Sequence, residues 1–447
     1  MDPERARLYP FLPSLGAGLP VARSEGSFLV LPDGRRILDA AGGAVVASIG
    51  HGRQEVADVA ARALAEASYV VPPFVTEDRV RLVERLRAGW LPPGVTRCAF
   101  ASGGSEAIDL AIRIARQHFV SRGETSRWKV IGRELSYHGT TLSALDVGGH
   151  VKRRRGMEPW LHDLPKAPAC YPLRCGMCRA VGRCTLACAD AVEQAIQRTG
   201  PETVAAFVFE PVGGSTAGAL TAPPGYLARV GEICRRHGIL TIADEVMSGF
   251  GRTGARFAVD HDAFVPDLLV GGKGLAAGYA PIVGVFAREE VVAPIAARGD
   301  EVMFYTYAAH PAACAVAGKV LEIVEREGLV ARCARMGEAL RERLGAALGA
   351  HPHVAEIRGK GLLQAVELVK DRATLAPFAP ADRLTATVVA AGLGNGVFFY
   401  PGGAGAAQDV IVLGPPFTVS EDELDLLVTA LVKSIDGAVA HAAARRG

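Results

Sequence analysis

The chain carries almost no net charge, few lysines and no unbroken apolar run, and each shortage removes a class of protein. A formal charge of +2 over 447 residues gives no global attraction to nucleic acid or acidic membrane surfaces. The basic residues are mostly arginine, so a lysine set among glycines stands out. The longest uncharged stretch, Leu384 to Ala407, is broken by Gly392, Gly394, Asn395, Gly396, Pro401, Gly402 and Gly403. It cannot run as one membrane helix, and a strand-and-loop region of a soluble protein is expected there. Met1–Asp2–Pro3–Glu4–Arg5 puts charges and a proline where a secretory signal needs an apolar core, so a cytoplasmic location is expected. Nine cysteines, an odd number in a large chain without such a signal, argue for reduced thiols rather than a disulfide framework.

What is present is an ordinary globular composition, 49% hydrophobic and 21% charged, with length for one large domain and a smaller one. After an irregular N-terminal arm, Phe28–Leu29–Val30 and Arg36–Ile37–Leu38–Asp39 flank Asp33–Gly34 as a hairpin. Helical spacing follows from Gln54 to Ser68. From about Thr96 to Phe286, apolar runs such as Ala205–Phe209, Leu240–Ile242 and Leu268–Val270 alternate with amphipathic stretches such as Glu106–Phe119 and Tyr226–His237. That alternation predicts an α/β fold, a mostly parallel sheet wrapped by helices. From Pro311 a long helix, a second around Met336–Leu348, and strands at Val354–Ile357, Leu362–Leu368 and Val410–Leu413 predict a separate α+β unit.

Two groups stand out chemically. The run Leu240–Ala243 ends in Asp244, at the lip where open α/β sheets bind ligands. About 30 residues on, Lys273 follows the run Leu268–Val270 between glycines. Pyridoxal phosphate chemistry needs this pair, an amine for the aldehyde and a carboxylate to keep the pyridine nitrogen protonated. Ser102–Gly103–Gly104–Ser105–Glu106 follows a strand and opens a helix, where free amides favour a phosphate; the plainer account is a helix capped by Ser102 or Ser105. Ser136–Tyr137–His138–Gly139–Thr140 offers an aromatic ring that could stack on a planar cofactor, or simply ends a strand.

Other motifs are weaker. Gly249–Phe250–Gly251–Arg252–Thr253–Gly254 matches the dinucleotide fingerprint, but Glu245–Ser248 intervenes after the strand and Ala255–Asp260 reads as extended. Cys170, Cys175, Cys178, Cys184 and Cys188 could hold zinc, yet only one pair has a two-residue spacer; free thiols and no metal are expected. Lys152–Arg155 reads as solvated surface, with an approach path for anionic substrates as the alternative. Lys360, also between glycines, is a rival to Lys273 but lies far from Asp244 in sequence.

Together with Gly50–His51, Glu210–Pro211–Val212, Thr306–Tyr307, His310–Pro311 and Pro415–Pro416, these segments resemble the class III family of pyridoxal-phosphate-dependent aminotransferases, closest in pattern to ω-amine and taurine-type members. The resemblance implies fold type I. It places an N-terminal arm and part of the small domain at 1–60, the large cofactor domain at 61–310 and the small α+β domain at 311–447. It implies that Lys273 is the catalytic Schiff-base lysine, that Asp244 pairs with the pyridinium and that Tyr137 and Val246 sandwich the ring. Gly104 and Ser105 then hold the phosphate with Thr306 from a partner subunit, while His138 belongs to the cofactor site and Glu210 lies behind Asp244. A homodimer is implied, acting on a small amine donor and a keto-acid acceptor in ping-pong order, with no nucleic-acid or membrane partner. Ser215 and Tyr400–Pro401 stand where relatives carry a glutamate and an arginine, which favours an apolar or ω-amine donor over a dicarboxylic one. A racemase, epimerase or decarboxylating enzyme of the same fold would share these residues. A dehydrogenase and a zinc-bearing binding protein are the alternatives without pyridoxal phosphate.

Overall fold

The computed structural model describes residues 19–179, 181–299 and 304–445; most of the expected N-terminal arm, including Met1–Arg5, lies outside them. The chain starts with β1 (Arg23–Glu25), β2 (Phe28–Val30) and β3 (Arg36–Asp39). β2 and β3 pair antiparallel across the expected Asp33–Gly34 turn. Gly34 takes φ +86°, and the Asp33 carboxylate accepts from the Arg35 amide at 3.0 Å.

The central sheet comprises β4 (Val95–Ala101), β5 (Lys129–Arg133), β6 (Lys166–Ala167), β7 (Val204–Phe209), β8 (Leu240–Glu245), β9 (Leu268–Gly271) and β10 (Val283–Arg288). Its order is β4-β10-β9-β8-β7-β5-β6. Neighbours from β9 across to β6 run parallel, while β10 runs antiparallel to both β4 and β9. The period of two along β7 explains how the sheet is covered. Ala206 and Val208 pack with Ile108, Ala111 and Ala115 of the Gly104–Ser121 helix. Phe207 and Phe209 face the other way, in the core that holds Tyr226, Val230 and Ile233 of the Tyr226–Arg236 helix. A strand buried on both faces must be apolar throughout, as β7 is.

Beyond helices Pro311–Arg326 and Leu329–Leu348 lie β11 (Val354–Lys360), β12 (Leu363–Leu368), β13 (Val397–Phe398), β14 (Tyr400–Ala404) and β15 (Ala407–Leu413). β11, β12, β15 and β14 form an antiparallel sheet. β13 pairs parallel with β3, which ties the N-terminal strands to the C-terminal region.

The expectation of strand and loop from Leu384 to Ala407 is corrected in its first half, where Leu384–Gly394 is a helix. Its glycines fall at the end rather than the middle. Gly392 is needed because a Cβ there would sit 2.6 Å from the Phe399 ring. Asn395 then donates to Ser434 at 3.0 Å, fixing this helix to Glu421–Ala444. That last helix opens with reciprocal Ser420 and Glu423 hydrogen bonds. Among the described residues it alone is long and apolar enough to cross a membrane, yet Leu424, Leu427, Leu431 and Ile435 are buried in the protein core.

The fingerprint-like turn opens no helix of the kind a dinucleotide requires. Ala258–Asp262 is a short 3-10 turn, not the extended segment expected. The cause is Glu245, whose buried carboxylate accepts from Ala258 N, Val259 N and Ser248 Oγ at 2.7–2.8 Å. Arg252 is itself buried, donating to Pro415 O at 2.6 Å and stacking on Phe417.

Candidate active site

Strands β7, β8 and β9 end along one edge of the sheet, and a cavity of about 590 Å³ opens there. Asp244 stands at the end of β8. Its carboxylate accepts from His138 Nδ1 at 2.8 Å and from the Val246 amide at 3.1 Å. Both side chains are buried, and His138 Nε2 has no hydrogen-bond partner. Since side chains alternate along a strand, Glu245 points to the opposite face. Burial raises its carboxyl to about 7 despite its three hydrogen bonds.

Glu210 follows β7. Its Oε1 accepts from Gly214 N at 2.7 Å and its Oε2 from Tyr137 N at 3.1 Å, so one carboxyl locks the Tyr137 loop to the sheet. Burial pushes its pKa up, partly opposed by His138. The same loop meets the Gly104–Ser121 helix, where Thr140 N donates to Ser105 Oγ at 3.0 Å. Gly139, at φ +138°, lies so close that a Cβ would be 2.5 Å from Ser105 Oγ.

Lys273 follows β9 with φ +42°, a left-handed conformation uncommon outside glycine. Its amine donates to Ala44 O at 2.7 Å. That carbonyl comes from a segment held by Asp39, which accepts from Gly43 N at 2.7 Å and faces His51 at 3.3 Å. Burial depresses the amine to about 8, with the Asp244 charge opposing and Arg252 assisting. Gly272 and Gly274 allow the close approach, since a Cβ at either would come within about 3 Å of Val283 or Phe250.

The helix N-terminus carries Gly103 as its cap residue rather than Ser102 or Ser105. Glu106 instead reaches back to the amides of Ser102 and Gly103 at 3.0 and 3.2 Å. The first-turn amides of Gly104 and Ser105 have no intrahelical acceptor and favour an anion.

Gly104, Ser105, Tyr137, His138, Glu210, Asp244, Val246 and Lys273 therefore line one cavity, although they come from five separate stretches of sequence. Thr306 does not line it; that residue is exposed, and its carbonyl accepts from Tyr69 Oη at 3.0 Å. Lys360 also lies outside. Its flanking Gly359 and Gly361 serve close packing, a Cβ on Gly361 meeting the Thr253 backbone at 2.4 Å. The nine cysteines are unbridged. Five of them surround a second cavity of about 370 Å³, and no group of three or more ligands among the described residues is placed to hold a metal.

Sequence reasoning missed Ala44 and Val46, and it named Met247, Arg153 and Tyr400 only within longer motifs, whereas all five share the cavity wall. Arg153 was hidden inside a basic run. The usable signal was helical divergence, because successive side chains on a helix point about 100° apart and a run cannot share one environment.

A mostly parallel sheet thus brings a lysine, a carboxylate and a helix N-terminus together at its carboxyl edge. The chain belongs to the aminotransferase class-III family, whose model matches residues 15–435. It is an aminotransferase of fold type I. An uncharacterised aminotransferase of Schizosaccharomyces pombe is 37% identical over 430 residues, 94% of this chain and 93% of that protein. A taurine–pyruvate aminotransferase of Bilophila wadsworthia is 31% identical, covering 92% of this chain and 91% of its own length. The crystal structure of an (S)-enantioselective omega-transaminase from Thermomicrobium roseum superposes with a TM-score of 0.89 at 33% identity, covering 94% of this chain and 93% of that one.

Proposed function

We propose that the protein moves an amino group from a primary amine or ω-amino acid to a keto acid, pyruvate or 2-oxoglutarate, with pyridoxal 5′-phosphate held in this cavity. The observation that carries the reading is that the Lys273 amine, which burial depresses to about 8, lines the same cavity as the hydrogen-bonded Asp244 carboxylate. The residues fit that cofactor. Asp244 keeps lone pairs free for a ring N–H, His138 Nε2 is a buried nitrogen without a partner beside it, and a Cβ on Gly104 would lie 3.3 Å from Val246.

When bound, the cofactor supplies an aldehyde and a pyridine ring that accepts the electron pair released as a substrate Cα–H bond breaks. Lys273 would hold the aldehyde through its amine with loss of water and, once a substrate amine displaces it from that carbon, its freed amine would take the proton from the substrate Cα, as a base made available by its lowered pKa. Asp244 would hold the ring nitrogen protonated, and His138 fixes the orientation of that carboxylate. Tyr137 and Val246 would flank the ring, while Gly104 and Ser105 hold the phosphate.

Two further features support the donor class and the assembly. Ser215 and Tyr400 line the wall, and Glu210 and Asp244 are the carboxylates in it among the described residues. Phe304 and Tyr307, beside Thr306, are 51% and 65% exposed. Such apolar exposure favours a homodimer that brings Thr306 to a neighbouring site.

Borohydride reduction of the cofactor-loaded protein, with peptide mapping, should label Lys273; a screen of amines against both keto acids, read by mass spectrometry, should show transferred nitrogen. Label on Lys360, or solvent hydrogen exchange without a keto product, would overturn the assignment.

A further inference from the structure

We propose that Cys170 and Cys188 form a dithiol that exchanges with small-molecule disulfides entering the second cavity and closes into a disulfide bond. The proposal is independent of transamination, and its site shares no lining residue with the cavity of Lys273. Five thiols line the second cavity, those of Cys170, Cys175, Cys178, Cys184 and Cys188. Its volume of about 370 Å³ lies at the lower end of small-ligand sites, which suits a compact reagent.

Two of those thiols already touch. The Cys170 and Cys188 sulfurs lie 3.5 Å apart, both side chains unbridged and buried at the cavity wall. A disulfide bond needs about 2 Å, so closure brings the sulfurs together by about 1.5 Å. Position divides the roles between them. Cys188 is the second residue of the Ala187–Thr199 helix, where first-turn amides and the helix dipole favour a thiolate. Its hydrogen bond with Cys170 lowers the Cys188 thiol against the cost of burial, with the Cys188 and Ala189 amides assisting. Cys170 is pushed up by the same hydrogen bond and by burial. Cys188 is therefore the attacking thiolate, and Cys170 resolves the intermediate. Thiols that ligate a metal converge on one centre; among the described residues no group of three or more ligands does so, and pairwise thiol chemistry is what the wall offers.

The exchange balances in two steps. The Cys188 sulfur attacks one sulfur of a disulfide RSSR, the S–S bond breaks, and RS⁻ leaves and takes up the proton that Cys188 gave up. Cys170 then loses its proton and attacks the Cys188 sulfur of the mixed disulfide, expelling the second RS⁻, which takes up that proton. Two electrons pass from the protein to the reagent and two RSH form. The bond links residues 18 apart in sequence. It fastens the Ala187–Thr199 helix to the residue before Tyr171, whose hydroxyl donates to Glu367 on β12, the carboxylate that also accepts from Arg174 Nε at 3.0 Å. Oxidation thus braces the segment that joins β6 to the C-terminal sheet. Cys178 competes on the same wall, since its sulfur accepts from Thr185 N at 3.5 Å and is lowered to about 7.

The test incubates the full-length protein, with pyridoxal 5′-phosphate present, with bis(2-hydroxyethyl) disulfide, quenches with iodoacetamide and maps peptides by mass spectrometry without reductant. A Cys170–Cys188 bridge is expected, with two equivalents of 2-mercaptoethanol released per bridge. Cys170→Ser should stop at a mixed disulfide on Cys188. Cys188→Ser should slow modification of Cys170 by about 10- to 100-fold, because the favoured thiolate is gone. Cys178→Ser should form the same bridge at the parent's rate, and circular dichroism shows whether each variant is folded. A bridge between another pair of cysteines, mixed disulfides without a bridge, no exchange at all, or loss of the bridge in folded Cys178→Ser would overturn the proposal. So would stoichiometric zinc held by these thiols in the purified protein.

Discussion

Lys273 is asked to be neutral enough to attack and charged enough to sit beside Asp244, and the fold settles this through burial. Its folded pKa of about 8 lies below the ordinary 10.5. Between those values the unfolded chain binds more protons than the folded one, so this residue makes stability rise with pH; its cost is complete below pH 8 and gone above 10.5. Replacing it with methionine removes the cost. Cofactor-free Lys273→Met is expected to be more stable than the parent by about 1–2 kcal/mol at pH 7, once contact with cavity water is discounted. The gap should close as pH rises from 8 to 10.5. Urea denaturation across that range checks it, and a gap that stays constant with pH would show that burial of charge is not the cause.

At the scale of elements, the site depends on how strands and loops aim a few side chains. β8 sends Asp244 to the cavity and Glu245 to the core, as the period of two along a strand requires. The buried runs at β7, β8 and β9 were legible, because strands covered on both faces leave continuous apolar stretches. The antiparallel direction of β10 was not, since pairing direction leaves no mark on a short apolar run. The Leu384–Gly394 helix escaped because its apolar residues surround it and show no single face, while its terminal glycines imitate a loop. Asp244, Lys273 and the Tyr137 loop were visible as motifs and Arg153 only as one of a basic run, while Ala44 was not visible, for it acquires its place only when distant segments fold onto the sheet. The Tyr137 loop offers a direct test. Gly139→Ala would force a Cβ into Ser105 Oγ, at 2.5 Å, and strain a backbone at φ +138°. Pyridoxal phosphate affinity should fall at least about tenfold, a loss of roughly 1.4 kcal/mol or more, while denaturation shows a folded protein. Unaltered affinity by fluorescence titration would show that the contact does not position the loop.

For the whole molecule, the cavity is assembled by segments far apart in sequence, with Ala44 and Asp39 near one end of the chain and Tyr400 near the other. Thr306 is the predicted site residue that one chain does not deliver. It lies in an exposed stretch with Phe304 and Tyr307, and the Tyr69 ring meets Tyr307 edge-on at 6.1 Å. Apolar rings on a surface favour association, and a twofold interface would present each Thr306 to the other chain's cavity. This makes an arrangement in trans testable by complementation. Lys273→Ala chains lack the amine, and Thr306→Glu chains would repel the phosphate, so each should be inactive alone. When the two are mixed and allowed to exchange subunits, half the dimers are hybrids, and each hybrid contains one site with an intact lysine and an intact threonine. Activity should return to about a quarter of the parent value, as random twofold pairing requires. If Thr306 served its own chain, the intact lysine would always share a site with the glutamate and mixing would restore nothing; a monomer in sedimentation would exclude the shared site altogether.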